Sequence, residues 1–304
     1  MDMHTIKLAL DWTPNINHIG FLIAKELGFY YQKGIGVEII SPSEDNYQLT
    51  PGKKLELGLV DFAIAPFETV ISFNNKANSA PFIAVFAILQ EDLSCIATLN
   101  RPDIHTPKDL DNKIYASYKA RYEDAIVKQM IINAGGKGTI RILYPDKLGI
   151  WNTLLENKAD ATWIFDNWEG AEALTKGIQL KKFRLKDYGI PYAYSPVLIS
   201  HADKLNHNQE LYANFVKATR EGFLYAQQNR PQSISILKNY LSYEENQKID
   251  IEKAFSMTAQ HFGDTNTCGL MKKDRVSNFL EWLVEHKLEN PKILEQNLFT
   301  NELL

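Results

Sequence analysis

Short apolar runs alternate along the chain with longer stretches whose apolar residues recur every three or four positions. This is the pattern of parallel βαβ units. Ile6–Leu10 reads as a strand, and Asn17–Leu27 as a helix with Phe21, Ile23, Ala24 and Leu27 on one side. Gly28 stands where a helix ends in a left-handed residue. Val37–Ile40 is a second strand, Thr50-Pro51 opens a short helix, and Asp61–Ala65 is a third strand with a helix starting at Pro66. The continuous apolar run Phe82–Leu89 predicts a strand buried on both faces.

The alternation then restarts. Ile96–Leu99, Ile114–Ser117, Thr139–Leu143, Ala161–Phe165 and Tyr194–Ser200 read as strands. Tyr122–Asn133, Lys147–Glu156 and Asn167–Thr175 read as helices. Beyond Asn208 the chain reads as helical, with Leu211, Phe215, Ala218, Gly222 and Tyr225 forming a core-facing stripe. Further helices are expected over Pro231–Leu241, Tyr243–Gln260 and Lys273–His286. The pattern predicts an α/β protein of two lobes, residues 1–91 with 196–304 and residues 92–195, joined by two crossovers. Such a layout places a ligand cleft at the carboxyl ends of the parallel strands.

Composition narrows the function. The 304 residues are 45% hydrophobic and 23% charged, which excludes disorder and a coiled-coil rod. A net charge of −4 gives no electrostatic case for nucleic acid or an anionic membrane. Two cysteines, Cys95 and Cys268, are too few for a disulfide scaffold or a zinc cluster. The first strand follows Met1–His4 directly, with no leader pattern, so a cytoplasmic protein is expected; a periplasmic or lipid-anchored protein with its signal removed is the alternative. No phosphate loop, HExxH, CxxC or GxSxG occurs, and Gly135–Thr139 lies between helix and strand, the wrong order for a phosphate cradle. No cofactor or metal is expected.

Several segments carry a family resemblance. Leu8-Ala9-Leu10-Asp11-Trp12-Thr13-Pro14-Asn15 with His18, Ile23–Tyr30 and Lys33–Ile39 resemble the opening of a family of binding proteins for thiamine-pyrimidine precursors and alkanesulfonates, which also holds the fungal thiamine-pyrimidine synthases. Gly58–Ile64, Pro107–Ile114 and Leu155–Ala161 resemble later family segments in register. The resemblance implies a two-lobed periplasmic-binding-protein type II fold, a small-molecule ligand and, if the chain is exported, an ABC permease as partner. It also implies a departure. The synthases' lysine and histidine fall at Ala65 and Thr69, and their cysteine-rich run at Pro191–Ser195, so their pyridoxal-phosphate chemistry is not expected.

Strand-to-helix junctions supply the candidate ligand residues. After the first strand, Trp12 is suited to stack on a flat ring, while Asp11 or Asn15 can bond ring nitrogens or an amine; His18 follows in the helix. The plainer reading makes Asp11 a helix cap and Trp12 a packing residue. Glu68 follows the third strand, where it binds an amino group or merely complements the helix dipole. Ser117, Tyr118 and Lys119 precede a helix, a place where anions bind, or else form a surface turn. Trp163 and Asp166, with Trp168, are suited to clamp an amino-bearing ring, against a reading of Trp163 as core and Asp166 as N-cap. Tyr192 and Tyr194 lie at the second crossover. The reading that results is a non-catalytic binder of a thiamine-related pyrimidine, against an enzyme of the same fold in thiamine-pyrimidine or menaquinone precursor synthesis, or an ABC importer component.

Overall fold

The structure is a computed structural model and describes residues 3–76, 81–145 and 150–304. It divides into two compact units: Met1–Asp92 with Tyr194–Val276 and Lys292–Leu304, and Leu93–Ala193 with Ser277–Pro291.

The first unit holds β1 (His4–Ala9), β2 (Ile35–Ile40), β3 (Phe62–Ala65), β4 (Phe82–Ala87) and, late in the chain, β10 (Val197–His201). They pair in the order β2-β1-β3-β10-β4. β1 runs parallel to β2 and β3, with Ile6 opposite Val37 and Leu8 opposite Phe62; β10 is antiparallel to β3 and β4. Every residue of β3 and β4 is buried, as continuous apolar runs require.

Helix 209–228 packs on this sheet, and helix 19–26 packs against that helix. The 209–228 stripe is centred on Phe215, Ala218, Thr219, Gly222, Phe223 and Ala226, with Leu211 and Tyr225 at its margin. Phe62 stacks on Phe215 at 4.6 Å. Gly28 takes the left-handed conformation, φ 75°, that ends the first helix.

The second unit holds β5 (Ser94–Leu99), β6 (Ile114–Ala116), β7 (Arg141–Leu143), β8 (Ala161–Phe165) and β9 (Leu180–Arg184), in the order β7-β6-β8-β5-β9. β6 is parallel to β7 and β8, while β5 is antiparallel to β8 and β9. Cys95, Ala97, Trp151, Leu154, Ile164 and Ala173 form its core.

Three differences from the sequence reading have physical causes, and a fourth falls partly outside the described residues. β9 was not anticipated, because an edge strand carrying Lys181, Lys182 and Arg184 buries little and shows no apolar run. The expected Tyr243–Gln260 helix is two helices. Ser242 caps Tyr243–Lys248 with its hydroxyl, and Asp250 caps Ile251–Thr258 by accepting from Lys253 N–H at 3.1 Å. The helix expected from Lys147 is observed over Ile150–Leu155; its start, residues 147–149, lies outside the described residues. Finally, Ser277–Pro291 was expected in the first lobe but belongs to the second unit. There the Phe279 ring meets Tyr192 at 5.2 Å, and Glu289 accepts from the Tyr122 hydroxyl at 2.6 Å. These contacts lie far apart in sequence, so apolar spacing could not show them.

Candidate functional site

In each unit the parallel strands bring several loops to one edge of the sheet. In the first unit that edge carries the loops after β1, β2, β3 and β4, and the segment entering β10, since Val197 lies opposite both Ala65 and Ala87.

The loop after β1 is the most organised. Asn15, not Asp11, caps the turn that follows, its side chain accepting from Asn17 N–H at 2.9 Å. Its amide nitrogen donates to Thr13 C=O at 3.0 Å. Its backbone N–H donates to Nδ1 of His18 at 3.2 Å. With Nδ1 an acceptor, the proton of neutral His18 must sit on Nε2, which faces Asp11 Oδ1 at 2.7 Å. His18 is fully buried, so it acts through Asp11 and presents nothing to solvent. Asn15, almost as buried, is engaged by its own turn. Asp11 is left partly exposed, its carboxylate oriented from behind and open to a donor in front.

Beside it the Trp12 ring is 44% exposed and meets Tyr47, 50% exposed, at 5.6 Å with the planes 56° apart. Tyr47 was missed in the sequence. It lies in the loop after β2, where Asn46 and Tyr47 both have positive φ, and the carboxyl-end rule applied to β2 would have found it. Glu68 is buried as the first residue of helix Glu68–Asn74, on the same edge. Tyr194 is also buried: its hydroxyl accepts from Lys272 N–H at 2.9 Å, and its C=O accepts from Phe67 N–H at 3.1 Å.

In the second unit, Ser117, Tyr118 and Lys119 do follow β6 but do not form an open anion cradle. The buried Glu123 carboxylate takes the donors first. It accepts from Tyr118 N–H at 2.9 Å, Ala120 N–H at 3.2 Å and the Tyr115 hydroxyl at 2.7 Å. Burial holds its carboxyl above the usual carboxylate range despite these bonds. The Ser117 hydroxyl donates to Asp124 at 2.7 Å and accepts from Lys119 N–H. The Lys119 ammonium lies 4.8 Å from the Tyr144 ring centre. An anion would have to displace a carboxylate the chain itself supplies.

The clamp expected around Asp166 is also corrected. Lys182 on β9 reaches the Asp166 carboxylate at 2.6 Å, so the charge is already matched. Asp166 is not the helix cap either: helix Glu169–Thr175 starts after Trp168, which is buried. Trp163 is half-buried and packs edge-on to Tyr192 at 5.6 Å.

Two α/β units, each a sheet of four parallel strands with one antiparallel strand inserted next to an edge strand, and helices following in the tail, define a type II periplasmic-binding-protein fold. Among solved structures, the alkanesulfonate-binding protein SsuA from Xanthomonas axonopodis pv. citri bound to MOPS matches with a TM-score of 0.70, at 13% identity, over 97% of both chains. The model of the NMT1/THI5 like family matches residues 15–233, and the chain belongs to that family. It is similar to the formylaminopyrimidine-binding protein of Halalkalibacterium halodurans, 23% identical over 300 residues, covering 96% of this chain and 89% of that protein. It is also similar to a putative thiamine biosynthesis protein of Haemophilus influenzae, 22% identical over 246 residues, covering 81% and 76%.

Proposed function

We propose that the protein binds a small, planar, nitrogen-containing metabolite, a thiamine-related pyrimidine, without transforming it. The observation that carries this reading is the loop after β1, where an oriented carboxylate stands beside an open pair of aromatic rings. Trp12 and Tyr47 offer faces to a flat heterocycle, and Asp11 accepts from its exocyclic amine. The formylaminopyrimidine-binding relative supports the same ligand class. Ala65, buried at the end of β3, offers no amine where the pyridoxal-phosphate lysine of the synthases would stand.

Calorimetry with 4-aminopyrimidines, including a formylamino derivative, tests the reading. Saturable binding is expected, with the pyrimidine recovered unchanged after incubation. No binding by any pyrimidine, alongside clear binding of another class, would overturn the ligand assignment; consumption of the pyrimidine would favour an enzyme. Cell fractionation separates two settings for the binding: retention in the cytoplasm, and export as the substrate-binding component of an ABC importer.

A further inference from the structure

Tyr194 borders a cavity that the pyrimidine reading does not use. The cavity, of about 520 Å³, lies within the first unit, between the segment after β4 and residues 260–275. That volume is in the range of small-molecule sites, roughly 300–1,000 Å³. Apart from Gly263, every residue lining it carries a polar or charged group.

The Tyr194 side chain holds Arg275 by its ring and the Lys272 backbone by its hydroxyl. The Arg275 guanidinium lies over Tyr194, 4.2 Å from the ring centre, and its Nη1 donates to the Gln90 carbonyl. Stacking and one hydrogen bond fix the plane of the fork and leave edge donors for an acceptor lying in that plane. Lys272 is tied to the Tyr194 hydroxyl through its backbone N–H and also lines the cavity.

Among the described residues neither cation is ion-paired. The Asp264 carboxylate is held to its own loop through Oδ1, which accepts from Asn266 N–H and Thr267 N–H at 2.9 Å each and from the Thr267 hydroxyl at 2.8 Å. Those bonds hold it below the usual carboxylate range. Glu91, the other acidic lining residue, has a partner of its own. The cavity therefore holds two cations that form no ion pair with either of its carboxylates.

We propose that this cavity is a second ligand site, taking a small organic anion whose carboxylate or phosphate group is bound by Arg275 and Lys272. A planar fork beside a point charge suits either oxyanion, and charge-assisted bonds of this kind are the strong ones. Gln227, braced by its amide donating to Gly263 C=O at 2.5 Å, and Gln260 provide polar groups for the body of the molecule.

The test is calorimetric titration of the full chain with citrate and, separately, inorganic phosphate, at constant ionic strength so that general screening is held fixed. Saturable binding of at least one is expected, and the arm that responds distinguishes carboxylate from phosphate. Arg275→Gln and Lys272→Gln should each weaken it about tenfold or more. Lys272 is exposed, so its variant keeps the test alive if Arg275→Gln does not fold. No saturable binding of either probe, or equal binding by wild type and both variants, overturns the proposal. Pyrimidine affinity is measured on the same proteins and should be unchanged. Its loss with the anion response would merge the two sites and also overturn the proposal. Its absence in wild type would count against the pyrimidine reading alone.

Discussion

Replacing His18 by Phe removes the support behind Asp11 while filling much of the ring's space. The buried Asn15 N–H loses its acceptor at 3.2 Å, and Asp11 loses the donor at 2.7 Å. A buried donor left unsatisfied costs about 1–3 kcal/mol. Water reaches the partly exposed Asp11 carboxylate, so little stability is lost there. In a chain of this size each kcal/mol lowers Tm by roughly 2–4 °C, so a fall of several degrees is expected. Pyrimidine affinity should fall about fivefold to tenfold, the cost of about 1 kcal/mol for a carboxylate no longer held in place. His18→Gln carries an acceptor and a donor on one side chain and should restore much of both. Urea unfolding reads the first effect and calorimetry the second. His18→Phe indistinguishable from wild type in both, or His18→Gln as damaging as Phe, would refute the positioning role.

Three other outcomes are expected. Trp12→Ala and Tyr47→Ala remove exposed rings, so each should weaken pyrimidine binding by about 1–3 kcal/mol with Tm nearly unchanged; equal Kd values in all three proteins would remove the rings from the site. Glu123→Gln tests the buried carboxylate. Because burial raises its folded pKa, the native state holds the proton to higher pH than the unfolded chain does, where the value is about 4.3. Its contribution is therefore present below that value and lost as pH rises through the folded one, so the stability of Glu123→Gln relative to wild type should improve between about pH 4 and 7. Urea midpoints at the two ends that show a constant or opposite difference would contradict this. Gly222→Ala should destabilise by about 2 kcal/mol or more, since the added methyl would stand 2.0 Å from the Gly20 carbonyl oxygen of the facing helix. Thermal unfolding within a degree of wild type would show that the two helices part easily.

The legible parts of the fold are those whose cause is local. Phe82–Ala87 is buried on both faces and reads as an unbroken apolar run. Thr50-Pro51 announces its helix through a hydroxyl that caps Lys53 N–H and a proline that needs none. β9 was illegible because its pairing with β5 satisfies the backbone while its lysines stay in water. In the candidate site, the Asp11–His18 segment could be singled out because its members lie within one loop and one turn. The fates of Ser117–Lys119 and Asp166 could not, because their competitors are other side chains. Glu123 reaches back to cap the first group from the next helix. Lys182 arrives on the strand that went unrecognised.

By itself the sequence determined the alternation of strands and helices and the two α/β units, and it pointed to the loop after β1, because periodicity, caps and turn residues act over a few positions. Only the tertiary structure decided which charged groups are available to a ligand. A carboxylate's partner is set by whichever donor the fold brings within about 3 Å. That is how His18 came to orient Asp11, how Lys182 came to neutralise Asp166, and how Arg275 and Lys272 came together at Tyr194 without a carboxylate of their own.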